Sequence, residues 1–473
     1  MTRRELLRKT GNGFGMLGLA HLLAKPGDAA GDMAVRATHF PPKARHVIFL
    51  FLNGGPSHVD TFDPKPALAK YHGQLMPGGD TKGEPKKLLA SPFTFKKYGH
   101  SGLEVSDLFP HVGNVIDDVC VIRSMHTDLP GHPQAITQMN TGHIFPGFPS
   151  MGSWLTYGLG SENQNLPGFV ALCPGVPNVG PQLWSSGFLP AAYQGTYVPC
   201  DHADAEKMIQ FLTSKQVTQA GQRRELDLLS ALNRLDLERR GQDSQLEGRI
   251  QAMEMAYRMQ AEALDAFDVF KESAATLAAY GVPARITEMS SKMRSATRDG
   301  DFARGCLIAR RLVERGVRVV QVYFGEDIPW DSHHDILVHR KLALQADQPI
   351  AALIQDLKSR GLLQETLIIV SGEFGRTPWV ESTGRINVQN GRNHNNLAFS
   401  VLLAGGGVKG GLAYGSSDEF GHKAVEKKVH VHDLHATALH LMGLDHTRLT
   451  YRHSGRDFRL TDVAGNVVKD ILA

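Results

Sequence analysis

The first run of core-type residues is His46-Val47-Ile48-Phe49-Leu50-Phe51-Leu52, and it stops at Asn53-Gly54-Gly55-Pro56. It is short, β-branched and aromatic, so it predicts a buried strand that delivers polar residues at its carboxyl end. Residues 119–122, 317–324, 366–370 and 398–404 have the same character. Helical spacing of apolar residues over 303–315 and 342–360 places helices before the strands at 317 and 366. Strands alternating with helices predict an α/β fold, a mostly parallel sheet with helices on both faces. In such sheets polar sites collect beyond the carboxyl ends of the strands.

Residues 201–300 break this rhythm. They are charged, with Leu226, Leu229, Leu232, Met253 and Tyr257 at helical spacing. That spacing predicts a helical insertion whose apolar stripes pack as core. Residues 40–473 otherwise read as one domain.

The N-terminus has another character. Thr2-Arg3-Arg4-Glu5-Leu6-Leu7-Arg8 precedes a weakly apolar stretch over 13–24 and small residues at Ala29-Ala30. A basic segment, a short apolar segment and small residues form an export signal over residues 1–30. The paired arginines resemble a twin-arginine signal, which implies the twin-arginine export machinery as a partner and a periplasmic or extracellular location. The stretch is too short to span a bilayer, and no later segment reaches about 18 uninterrupted apolar residues.

Composition narrows the function classes. The chain has 473 residues, 42% hydrophobic and 21% charged, as in ordinary globular proteins. A net charge of +3 argues against nucleic acid held on a basic surface. Four cysteines, Cys120, Cys173, Cys200 and Cys306, show no C-x-x-C spacing, so a thiolate zinc site is not expected. Histidine is abundant at 22, and it clusters with Asp, Glu and Asn.

Five such clusters follow expected strands. The first holds Asn53, His58 and Asp60, oxygen and imidazole donors beside a glycine turn. The second is His126-Thr127-Asp128-Leu129-Pro130-Gly131-His132. Here Thr127 reads either as a metal-activated nucleophile, with Asp128 or His132 as ligands, or as a plain helix cap. The third, Trp330-Asp331-Ser332-His333-His334-Asp335, offers Asp331 and His333 as metal ligands. The fourth, Gly372-Glu373-Phe374-Gly375-Arg376-Thr377-Pro378, supplies a carboxylate ligand in Glu373 and an oxyanion-binding guanidinium in Arg376. The fifth, Gly391-Arg392-Asn393-His394, adds His394 and a second arginine, Arg392. The histidine-rich stretch 430–443 reads as a helix started near Asp433 and stopped at Gly443, its histidines serving packing or surface.

The Glu373 and His394 motifs, together with Asn53-Gly54-Gly55-Pro56-Ser57-His58-Val59-Asp60, Pro149-Ser150-Met151-Gly152-Ser153-Trp154 and Gly405-Gly406-Gly407-Val408-Lys409-Gly410-Gly411, resemble the sulfatase-like family "domain of unknown function 1501". That family is similar to the alkaline phosphatase superfamily, whose enzymes hydrolyse phosphate or sulfate esters at a metal site. The resemblance implies that Asn53 or Asp60 fills the first-strand ligand position and that Thr127 or Asp128 stands near the nucleophile position. It makes Asp331, His333, Glu373 and His394 the remaining ligands. Three departures stand out. Phe374 replaces a metal-binding residue common in relatives, Asn53 stands where they usually have Asp, and no Cys-x-Pro-Ser-Arg motif of formylglycine sulfatases exists. The expectation is therefore one divalent ion (Zn, Mn or Ca) rather than a complete two-metal centre.

Two functions fit these observations. One is an exported metal-dependent hydrolase of a phosphate, sulfate or related ester, acting on a small-molecule or glycan substrate. The other is an exported, non-catalytic binding or scaffold protein on the same fold.

Overall fold

A computed structural model describes residues 33–77, 86–200, 205–209, 218–240, 244–283, 300–381 and 390–473. The export-signal reading of residues 1–30 lies outside them. Among the described residues no helix is long and apolar enough to cross a membrane.

The core is a nine-stranded sheet. Its strands are β1 (His46–Phe51), β2 (Val119–His126), β3 (Phe169–Cys173), β4 (Thr196–Pro199), β5 (Val319–Tyr323), β6 (Thr366–Ser371), β7 (Phe399–Ala404), β8 (Leu412–Tyr414) and β9 (Val429–His430). The order is β8-β2-β7-β6-β1-β5-β3-β4, with β9 also pairing β2. β1 lies parallel between β5 and β6, and β3 continues the parallel run beside β5. β7 alone runs antiparallel to its neighbours β6 and β2. The sheet is thus mostly parallel, as expected.

Side chains alternate across a strand, so each strand feeds two cores. From β1 and the residue after it, Ile48, Leu50 and Leu52 join one cluster with Leu307, Ile308 and Leu312 of α3 (Asp301–Glu314) and Leu353 and Ile354 of α4 (Val338–Ser359). Val47, Phe49 and Phe51 face the other cluster. There they meet Ile136 and Met139 of α1 (His132–Thr141), Trp154 and Leu155 of α2 (Met151–Leu159), and Leu434 and Leu439 of α5 (Val431–Leu441). Helices therefore cover both faces. β3, flanked by Pro167-Gly168 and Pro174-Gly175, is fully buried. Like β1, it is a short apolar run between turn residues, the pattern of a buried strand.

Between β4 and α3 the chain forms helices Gln219–Arg240 and Ser244–Phe267. The expected packed stripe is corrected here: Leu229, Leu232 and Met253 stand exposed, Leu232 at 54%. A two-pronged Arg223–Glu254 pair joins the two helices instead, at 2.7 and 2.6 Å. The longer helix buries Met259, Ala263, Ala266 and Phe267 nearer its end. All four cysteines are buried, and none is joined in a disulfide.

α5 begins with a capping box between His430 and Asp433. Its histidines serve packing: His432 and His435 donate to Gly142 O and Met139 O at the end of α1.

Candidate metal centre

Each of the parallel strands β1, β2, β5 and β6 ends at the same edge of the sheet, and β7 starts there because it runs the other way. This is why a hairpin leading into β7 joins the site. The hairpin pairs Gly375–Val380 with Arg392–Asn395 and sets His394 opposite Arg376.

Four side chains converge at this edge. Ligand atoms of His132, Asp331, His333 and His394 all lie within 4.8 Å of one another. Three imidazoles aim Nε2 at a single oxygen, Asp331 Oδ1: His333 at 2.8 Å, His132 and His394 at 3.2 Å. Behind each ring stands an acceptor for its other nitrogen. His132 Nδ1 donates to Glu373 Oε1 at 2.5 Å, His333 Nδ1 to Glu381, and His394 Nδ1 to Pro130 O at 2.7 Å. Carboxylates and carbonyls only accept, so the neutral form of every ring carries its proton on Nδ1 and turns an Nε2 lone pair inward. Metal-ligating histidines are held in this way.

The inner geometry fits an ion. His132 Nε2 is buried, and its 3.2 Å approach to Asp331 Oδ1 lacks the geometry of a formed hydrogen bond. His333 and His394 Nε2 are 2.9 Å apart. Tetrahedral ligands on bonds of 2.0–2.1 Å stand about 3.4 Å apart, so a small outward shift suffices.

The electrostatics keep Asp331 ionised but set a proton on His132 against an ion at neutral pH. Burial opposes charge on Asp331, but His132, His333, His394 and Arg376 hold it far below the usual carboxylate range. Burial also opposes charge on His132, and the Asp331 and Glu373 carboxylates outweigh it, raising the value to about 9. Asp331 raises His333 in the same sense, against burial. Burial lowers His394.

The remaining sequence candidates fall around this group. Glu373 is fully buried, and Gly54 N donates to both its oxygens at 3.0 Å; it backs His132 rather than joining the four. Gly54 has φ +115°, and a Cβ there would sit 2.6 Å from the backbone nitrogens of Trp330 and Asp331, so glycine is required. Arg376 is buried, bonded to Asp331 Oδ1 at 2.6 Å and to the carbonyls of Gly55, Gly54, Trp330 and Arg392. Arg392 is committed too: it grips Asp60 at 2.7 and 3.1 Å and reaches Thr377 O and Leu89 O. Both guanidiniums therefore brace the site instead of standing free for an oxyanion.

Asp60, held by Arg392 and Ser57, stands apart from the metal group. His58 is fully buried, with Nε2 donating to Gly421 O at 2.7 Å. Asn53 donates to Gly325 O and Asp327 O, while its Oδ1 is buried without a partner. Thr127 donates its hydroxyl to Gln138 Oε1 at 2.6 Å. An amide oxygen cannot take that proton, so this bond supplies no base. Thr127 is not the cap of α1 either, because that helix starts after Gly131. Asp128 pairs with His430 Nε2 at 3.1 Å and with Gln138.

Phe374 explains its own departure from pattern. Its ring packs on His132 and His394 with centroids 4.8 and 4.7 Å away, an apolar floor under two of the imidazoles. Glu381 was not singled out by the sequence: it lies past the end of the hairpin strand and carries no periodic or spacing signal.

A cleft of about 570 Å³, lined by Pro130, Gly131, Thr377, Glu381 and His394 among others, opens beside the group. A larger cavity, about 700 Å³, lies at Pro167 to Phe169 by the start of β3. None of the four clustered side chains lines it, so size does not mark the site here.

The profile of a family described as "Protein of unknown function (DUF1501)" matches residues 44–472. No curated protein sequence matches the chain significantly. Among solved structures, the chain is similar to the PsFucS1 sulfatase from Pseudoalteromonas sp., at 13% identity over 85% of this chain and 68% of that one, with a TM-score of 0.35. It is also similar to the lipoteichoic acid synthase LtaP from Listeria monocytogenes, at 9% identity over 92% and 80%, TM-score 0.34. A third is the phosphonate monoester hydrolase SpPMH from Silicibacter pomeroyi, at 13% identity over 77% and 71%, TM-score 0.33.

Proposed function

The chain belongs to the DUF1501 family, and we propose that it is an exported, metal-dependent hydrolase of a phosphate, sulfate or related ester. One observation carries the reading: three imidazoles, each with Nδ1 held by an acceptor, turn Nε2 toward one carboxylate oxygen. His132, Asp331, His333 and His394 would hold one divalent ion. Three imidazole donors favour zinc over manganese and calcium, which prefer oxygen-rich shells. An ion bound there supplies Lewis acidity toward an ester oxygen. Glu373, Glu381 and the Pro130 carbonyl fix the rings, Arg376 fixes Asp331, and Phe374 keeps water from the back of two rings. The cleft beside His394 receives the ester. Residues 1–30 direct export, and residues 40–473 form one domain with a helical insertion.

The non-catalytic reading has its own support. Thr127 gives its proton to an amide, and Arg376 and Arg392 are saturated by protein partners. That leaves no side-chain nucleophile paired with a base among these candidates.

Elemental analysis of the purified protein beside a His394→Ala variant tests the metal. Close to one equivalent of ion is expected, with most of it lost in the variant; an ion-free parent protein refutes the centre. Screening the loaded protein against phosphate and sulfate esters then separates enzyme from binder. Turnover that disappears with the metal supports the hydrolase, and ester binding without turnover supports the binding protein.

A further inference from the structure

Trp379 lines the same cleft as His394. The other three tryptophans, Trp154, Trp184 and Trp330, are buried core residues, whereas Trp379 is half-exposed on the hairpin strand. It lies three residues beyond Arg376, about 10 Å along an extended strand. Its ring meets the His422 edge at 4.9 Å and carries the Lys86 ammonium 4.8 Å above it. Burial, then Lys86 and Lys423, lower His422 against the pull of Asp418, so it stands as a neutral ring.

Two polar groups at this wall have capacity left. No ion pair of Lys86 exists among the described residues, and its contact with an indole at a half-exposed site is weak, about 0.5–1 kcal/mol. The ammonium can therefore leave the ring face and meet an anion. Asn393 spends its Oδ1 on His394 N at 2.7 Å, and its backbone N on the Thr377 hydroxyl at 3.0 Å. Its amide NH2 has no partner among the described residues. Glu381, the acid on this wall, is already committed to His333. The cleft thus pairs an aromatic face with spare donors and a spare cation, next to the metal group.

We propose that Trp379 is the platform for the alcohol half of the ester, so that the substrate carries a ring with an apolar face, and that Lys86 answers negative charge on that same ligand. This rests on reading the neighbouring cluster as an ester-hydrolysing metal site. A ring stacked on an indole gains beyond its buried area, and spare donors at the rim suit a polar ring edge. The shared chemistry is a flat or chair-shaped ring, aryl or sugar.

Calorimetric titration of the metal-loaded full chain tests it. Phenyl phosphate is compared with methyl phosphate, and glucose 6-phosphate with the ring-less glycerol 3-phosphate. At least one ring ester is expected to bind about tenfold tighter than its acyclic counterpart. Trp379→Ala should erase that ratio with metal content unchanged, and Trp379→Phe should restore most of it. Lys86→Ala should weaken all four ligands and preserve the ratio. Which pair shows the preference identifies the ring as aryl or sugar. Equal binding of ring and acyclic esters, or a ratio that survives Trp379→Ala, overturns the platform. An unaltered affinity in Lys86→Ala overturns the charge pairing. Loss of the metal reading is seen separately, in the elemental analysis.

Discussion

Glu373→Gln isolates the part of the proposed metal centre that the structure ties most closely to charge. The carboxylate is fully buried and makes two kinds of bond, to Gly54 N and to His132 Nδ1. Glutamine keeps the shape and one acceptor oxygen but removes the charge. Two effects then compete. A weaker hold on His132 lowers metal affinity, by about tenfold to a hundredfold for a partner of this kind. Glu373 also helps hold the metal-free His132 pKa at about 9, so the ion must displace a proton at neutral pH. That displacement weakens metal binding about tenfold for each pH unit below 9. Removing the charge relieves part of it. The variant should therefore bind zinc about ten- to a hundredfold more weakly at pH 9, with a smaller deficit at pH 7. Competition with a chromophoric chelator at both pH values reads the difference, and circular dichroism checks the fold. Equal affinities at pH 9 would show that Glu373 does not act through His132. A deficit unchanged between pH 9 and pH 7 would remove the proton competition from the argument. The stability side has a defined sign: His132 is raised above its unfolded value of 6.5. The metal-free protein thus holds this contribution in full below pH 6.5 and loses it as the pH rises through 9.

Two further predictions concern the supports of the site. Burial lowers His435 and His339 to about 3, outweighing the Met139 carbonyl and the Asp60 carboxylate, so both stay neutral in the fold. Their contribution is complete above pH 6.5 and falls as the pH drops toward 3, by about 2 kcal/mol each at pH 5. Urea unfolding across pH 5–7 should show this slope, and His435→Gln should reduce it by one proton; an unchanged slope refutes the assignment. Asp60→Asn leaves the Arg392 guanidinium buried beside a neutral amide and should cost about 3–5 kcal/mol. A loss below about 1 kcal/mol in the same assay would mean that Arg392 is neutralised by another group.

What the sequence made legible was which residues stand at strand ends, and the sheet carried that information into space. Asp331 and His333 follow β5, His132 follows β2, and His394 precedes β7; each strand could be read from a short apolar run. What stayed hidden was the division of labour within each cluster, because spacing along the chain does not say which way a side chain turns. Glu373 and His132 are far apart in sequence, and only the packing of β1, β2 and β6 at one edge sets one behind the other. Asp60 and Arg392 each looked like site chemistry, yet each satisfies the other, and a buried charge so paired has nothing left for a ligand. The same logic reinterprets Phe374. Read as a lost ligand, it argues against chemistry; with its ring packed on His132 and His394, it instead gives two of the clustered imidazoles an apolar backing. On the proposed reading of one ion held above this aromatic floor, the ester would enter through the cleft at His394, and the burden of specificity would fall on the lining that carries Trp379.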